Sequence, residues 1–151
     1  MALLNYTTSI AVPKTASEIM NILADHHARA IMALYDGQGN ITGLAFTVVS
    51  PQGNLAFRLP IDPGAVLVVM GKQRQEGMIP LRYVNMDQAR RVAWRILKDW
   101  VLAQMALLET EMVKLEEIFL PYLLVSEQET LFQRMAESQF LLPEGRIDDK
   151  R

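Results

Sequence analysis

The sequence predicts an α+β fold: a small antiparallel β-sheet of about four strands, packed on an N-terminal helix and a long C-terminal helix, with a short helix after it. Three observations lead there. β-rich runs at 31–35, 41–49 and 55–59 are separated by the polar loops Asp36-Gly37-Gln38-Gly39-Asn40 and Ser50-Pro51-Gln52-Gly53-Asn54, which is the pattern of an antiparallel meander. Beyond Asn85 an apolar helical pattern continues without Gly or Pro until Pro121. The 151 residues, 50% hydrophobic and 21% charged, suit one domain with a real core.

Taken in order, Tyr6, Thr8, Ile10 and Val12 alternate with Thr7, Ser9 and Ala11, predicting a first strand that Pro13 ends. Thr15-Ala16-Ser17-Glu18 has the form of a capping box, so a helix is expected over about Ala16–His27. The meander follows, and in its middle strand Leu44, Phe46 and Val48 share one face. Asp62-Pro63 is an N-cap and N1 pair that opens a short helix to Met70, closed by Gly71, although Val66, Val68 and Val69 leave a strand open. The polar stretch 71–83 is expected as a mobile loop.

Asn85, with Gln88 in the reciprocal position, caps a helix predicted to run from Met86 to Phe119. Trp94, Leu97, Val101, Met105, Leu108, Met112, Leu115 and Phe119 form one stripe along it, and Ala93, Ile96, Trp100, Ala103 and Leu107 a second. Such a helix would be about 51 Å long, against a radius of gyration of about 15 Å for a domain of this size. Its far half is therefore expected to bury Val101, Met105, Leu108, Met112, Leu115 and Phe119 against another subunit. Ser126–Glu129 is a further capping box, opening a last helix to about Ser138. The single domain is expected over 1–142, with a frayed tail at 143–151.

Several chemistries are excluded. There is no cysteine, so disulfides, thiolate metal sites and cysteine nucleophiles are absent. Met1–Val12 has no basic n-region of a signal peptide, and no apolar run approaches the roughly 20 residues of a membrane span. A cytoplasmic protein with no membrane partner is expected, and the sequons at Asn5 and Asn40 are chance matches. Asp25-His26-His27 has metal-ligand chemistry, but neighbours on a helix point about 100° apart, and histidines at a helix C-terminus complement the macrodipole. No metal and no other cofactor is expected. No Gly-x-Ser-x-Gly turn is present, and Gly64–Lys72 departs from a phosphate loop in spacing and in having Gln73 where Ser or Thr is needed. Glu116 and Glu117 belong to a solvated helix face, where nothing would raise a pKa for acid catalysis. The expectation is a protein that binds and does not catalyse.

The informative constellation is basic. Lys72, Arg74, Arg82, Arg90, Arg91, Arg95 and Lys98 stand against only Glu76 and Asp87 in the same stretch, within a chain of net charge −2. Arg91, Arg95 and Lys98 lie at i, i+4 and i+7, one ridge, with Tyr83 and Trp94 near enough to offer a stacking surface. Cations beside aromatics hold single-stranded nucleic acid or nucleotides. A structural explanation competes. The same predicted helix turns acidic at Glu109, Glu111, Glu116 and Glu117, so an antiparallel dimer would set each basic half against an acidic one. A solvated face is the third reading, and Trp94 and Trp100 suit a core better than a platform.

The run Gln88-Ala89-Arg90-Arg91-Val92-Ala93-Trp94-Arg95-Ile96-Leu97-Lys98-Asp99-Trp100, with Phe57-Arg58-Leu59-Pro60 before it and Leu120-Pro121-Tyr122-Leu123 after it, resembles a group of small phage and prophage proteins across most of the chain. The group has no established activity, so the resemblance carries over no functional residue. It implies a context in a host cytoplasm: DNA replication or recombination, or the blunting of host defence. The expectation is thus a homo-oligomeric, non-enzymatic protein that binds nucleic acid, single-stranded DNA preferred, through Lys72, Arg74, Arg82, Tyr83, Arg90, Arg91, Arg95 and Lys98. The alternative is a sponge or sensor that holds a nucleotide or other phosphorylated small ligand between the same arginines.

Overall fold

Proline fixes φ near the helical value and lacks the N–H that the first turn cannot use, so Pro13 starts a helix instead of ending a strand. The computed structural model describes residues 1–140 and places α1 at Val12–Asp25, β1 at Ala30–Tyr35, β2 at Ile41–Ser50, β3 at Gly53–Arg58, α2 at Pro63–Gln75, α3 at Met86–Glu109, α4 at Leu115–Phe119 and α5 at Leu131–Glu137. Short 3₁₀ turns occupy Leu81–Tyr83 and Leu120–Tyr122. The fold is α+β, with one antiparallel sheet of three strands in the order β1-β2-β3. The tail expected at 143–151 lies outside the described residues.

The expected strand over Tyr6–Val12 is not formed. Asn5 takes a positive φ of 65° and starts a turn. The carbonyls of Tyr6 and Thr8 are satisfied by Gln88 Nε2, at 2.8 and 2.9 Å, and not by a neighbouring strand. Gln88 is therefore not the reciprocal half of a capping box. Asn85 does cap α3, accepting from the Gln88 N–H at 2.8 Å. The meander has its expected composition, with Phe46 paired to Ile31 on one side and to Phe57 on the other. Leu44, Phe46, Val48 and Phe57 are buried against α1 and α3. The nearest thing to a fourth strand is an isolated bridge from Leu123 to Phe57, supported by the Leu124 N–H donating to the Ala56 carbonyl.

Asp62 caps α2 as expected, accepting from the Ala65 N–H. The helix does not stop at Gly71, because Lys72, Gln73, Arg74 and Gln75 are good helix formers and Gly71 meets no steric conflict there. It ends in a Schellman turn: Met78 N–H reaches the Gln73 carbonyl and Gly77 N–H the Arg74 carbonyl, with Gly77 at φ 79°. The stretch expected as a mobile loop over 71–83 is thus the end of α2, a tight turn and a 3₁₀ turn, with Ile79 buried beside Met70, Ala89 and Val92.

The largest departure is at the long helix. It ends at Glu109, and Glu111 adopts a left-handed φ of 62° without being glycine. The chain then reverses, so that Phe119 on α4 returns to the core of its own subunit. Phe119 is fully buried, with its ring 5.3 Å edge-on from Phe46 and 5.7 Å from Trp100. Burying a phenylalanine is worth about 1.5–3 kcal/mol, more than one strained residue costs at about 1–2 kcal/mol. The intersubunit role expected for Val101, Met105 and Phe119 is overturned, since each is at most 1% exposed within the single chain. Leu108 and Leu115 are half-buried against the same core, and only Met112, on the connecting turn, is open to solvent. The last helix is capped by Thr130 with Gln133, not by Ser126 with Glu129, and starts at Leu131.

Candidate functional site: the basic corner

The two residues expected to cap α1 have another use. N-capping falls to Ala11, which supplies no side-chain bond, while Thr15 and Glu18 sit one and two turns inside the helix and face α3. Glu18 accepts from Arg95 Nη1 at 2.6 Å, and Lys98 Nζ stands 3.4 Å from the same oxygen. Arg95 also reaches Thr15 Oγ1 at 3.4 Å. The Arg95 guanidinium, with Lys98 beyond it, holds the Glu18 carboxyl below its ordinary range, so the carboxylate stays ionised at neutral pH. Glu18 thus supplies one negative charge to two of the three cations on the expected ridge, which holds both side chains against α1 and leaves one positive charge over.

The third, Arg91, lies over Gln88 and donates to its Oε1 from Nε at 3.0 Å and from Nη2 at 2.7 Å. That partner is neutral, so the Arg91 charge is not compensated. Arg90 pairs with Asp87 at 2.9 Å. Lys72 and Arg74 are exposed in the last turns of α2, and Arg82 is exposed on the 3₁₀ turn beyond. Among the described residues these three form no ion pair. Lys72 and Arg74 are about 200° apart around the helix, so they flank its end on two sides instead of forming a line.

Tyr83 supplies the aromatic surface at this corner. The Arg82 guanidinium carbon lies 4.7 Å from its ring centroid, and Tyr6 meets the ring edge-on at 5.5 Å. Tyr6 was not legible as part of the site, because its alternation with Thr8 and Ile10 imitates a strand. Trp94 is buried and belongs to the core, as its stripe implied; Trp100 is half-buried beside Phe119 and Tyr122. Of the eight expected anion-binding residues, the structure leaves Lys72, Arg74, Arg82 and Arg91 without an acidic partner among the described residues, with Arg82 over the Tyr83 ring. It commits Arg90, Arg95 and Lys98 to acids of the same chain.

The histidines behave as a helix end. His26 caps α1, with Nδ1 2.7 Å from the Ile22 carbonyl oxygen and Nε2 2.9 Å from Glu109 Oε1. Glu109, with the Ile22 carbonyl, raises the His26 pKa above its ordinary value. His27 turns the chain with φ 76°. No group of three potential metal ligands is found among the described residues, and no described helix is long and apolar enough to cross a membrane.

Arg58 has a structural partner, donating to the carbonyls of Glu127 and Gln128 and so holding the chain after Tyr122 across the sheet. Grooves of about 700 and 920 Å³ lie on either side of it. They are lined mainly by apolar side chains and do not include the basic corner. The chain matches no known protein family, curated protein or solved structure.

Proposed function

We propose that this protein binds a polyanion without catalysis, single-stranded DNA being preferred, at the corner where the end of α2, the 3₁₀ turn and the first turns of α3 meet. One observation supports it most: Lys72, Arg74, Arg82 and Arg91 have no acidic partner among the described residues, whereas Arg90 pairs with Asp87, and Arg95 and Lys98 share Glu18. The Arg82–Tyr83 stack adds a planar surface to that charge, and base stacking on an aromatic is sequence-tolerant.

Fluorescence anisotropy of a labelled oligothymidylate tests the reading. Neutralising about three phosphates of a single strand gives a salt slope of about −2, so affinity should fall roughly twenty-fold between 50 and 200 mM salt. Arg74→Glu and Arg82→Ala should weaken binding, while Lys98→Gln, about three turns along α3 from the corner and held at Glu18, should change it little. Absence of binding at low ionic strength with micromolar protein refutes the proposal. Saturable stabilisation by a mononucleotide, with no preference for the oligomer, would assign the corner to a small phosphorylated ligand instead.

A further inference from the structure

Past Leu123 the chain satisfies its polar groups largely from within. Leu124 and Thr130 face each other across a tight hairpin, closed by the Val125 N–H donating to the Glu129 carbonyl at 2.9 Å, and α5 follows directly. Thr130 and Gln133 cap that helix reciprocally, and Arg134 returns to Glu129 at 3.1 Å. Little of this unit is buried. Within residues 124–140 only Thr130 is, and its hydroxyl accepts from the Gln133 N–H.

The fastening of the unit to the sheet is sparse. Among the described residues it consists of the Leu124 N–H donating to the Ala56 carbonyl at 2.8 Å and of two long bonds from Arg58, at 3.2 Å to the Glu127 carbonyl and 3.4 Å to the Gln128 carbonyl. Arg58 has no acidic partner among those residues, and its Nε is shielded from solvent without a hydrogen-bond partner. Glu129 Oε1, one residue beyond the carbonyls that Arg58 holds, is shielded and unpartnered as well. A shielded polar atom without a partner costs free energy, more so on a charged group, and water entering the seam would hydrate the guanidinium. Closure therefore wins by a small margin.

We propose that residues 124–140 form a flap that swings as a unit about Leu123 while the rest of the fold stays closed. Leu123 stays with the body: it packs against the core together with Tyr122, whose ring meets Trp100 edge-on at 5.7 Å. Its carbonyl accepts from the Leu131 N–H at 2.7 Å, the link on which the flap turns. The flap supplies one wall of both grooves beside Arg58, through Glu127 and Gln128 in the larger and Phe132 and Gln133 in the smaller. Opening releases the hold of Arg58 that divides them, joins them into one trough over Gly43, Ala45 and Ala56, and bares the backbone of β3 at Ala56. The closed flap thus limits access to the outer face of the sheet. It contains no residue of the basic corner, and the inference does not depend on polyanion binding.

Hydrogen exchange of the intact protein, read amide by amide by NMR and corrected for intrinsic rates, tests it. The Leu124 amide, bonded across the seam, should exchange roughly a hundred-fold faster or more than the buried amides of α3, as in a sub-global opening. It should also exchange ahead of the Val125 amide, which is bonded inside the flap. Arg58→Ala, with circular dichroism confirming its fold, should speed Leu124 about five-fold further, the worth of one net hydrogen bond. The wild-type comparison stands whether or not that variant folds. Leu124 exchanging no faster than α3 overturns the proposal, because the segment would then open only with the whole fold. Equal exchange of Leu124 and Val125 also overturns it, since that is fraying and not the swing of a unit, and so does a folded Arg58→Ala protein with Leu124 unchanged.

Discussion

Phe119→Ala separates a chain that reverses after Glu109 from one that carries its apolar stripe outward into a neighbour. Phe119 is fully buried and has ring contacts with Phe46, Phe57 and Trp100 at 5.3, 6.0 and 5.7 Å. Truncating a buried phenylalanine costs about 3–5 kcal/mol, and aromatic pairs of this geometry add about 0.5–1.5 kcal/mol beyond area burial. A loss of about 4 kcal/mol is expected. With a denaturant slope of about 2 kcal/mol per molar, the urea midpoint should fall by about 2 M. Trp100 touches Phe119, so tryptophan fluorescence reports the change at the site itself. Met112→Ala is the control: Met112 is 69% exposed, and surface truncations fall within about 0.5 kcal/mol. A continuous helix that buries both residues in a subunit interface would make the two losses similar and dependent on protein concentration. Equal midpoint shifts for the two variants would refute the reversal.

Other expectations follow from single contacts. Gln88→Leu removes the donor to the Tyr6 and Thr8 carbonyls and should cost about 1–3 kcal/mol, with faster limited proteolysis of the first ten residues as the diagnostic. His27→Gly should stabilise the fold by about 1 kcal/mol, because φ 76° is strained for a residue with a Cβ; calorimetry should show a higher melting temperature. The His26–Glu109 pair gives a pH dependence of known sign. Its folded pKa is raised above the unfolded value of about 6.5, so its contribution is complete below that pH and is lost as pH rises through the folded pKa. The melting temperature of the wild type relative to His26→Gln should therefore decline above about pH 6.5, and a flat difference would remove the pair from the account.

The meander and the caps at Asp62 and Asn85 were legible because each rests on local chemistry: alternation, turn residues and a side chain that reaches its own helix. Where a helix stops against local preference is a different matter. Nothing between Glu109 and Phe119 breaks a helix, and the left-handed Glu111 is adopted because the core has room for Phe119. That balance belongs to tertiary packing, which no window of sequence contains. Thr15 and Glu18 mislead for a related reason: their spacing fits a cap, yet Pro13 has already opened the helix, which frees both side chains for Arg95. The basic cluster was legible as composition. Its division into partnered and unpartnered cations was not, since Glu18 lies 77 positions from Arg95 in the chain and beside it in the fold.

α1 and α3 are fastened at two places, by Glu18 to Arg95 and Lys98 and by His26 to Glu109. On α1 these clasps are about 12 Å apart along the axis, so they act as a pair of rivets. One would permit rotation about itself; two do not. Rolling α1 on α3, or sliding it by a turn, would break both at once and leave Arg95, only 14% exposed, without its counter-charge. The helical layer is thereby a stiff beam, and its amides should be the slowest in the molecule to exchange with solvent. Whatever yields when the protein meets a partner is expected to be what hangs from the beam: the first ten residues, held by Gln88, and the segment that Arg58 holds across the sheet.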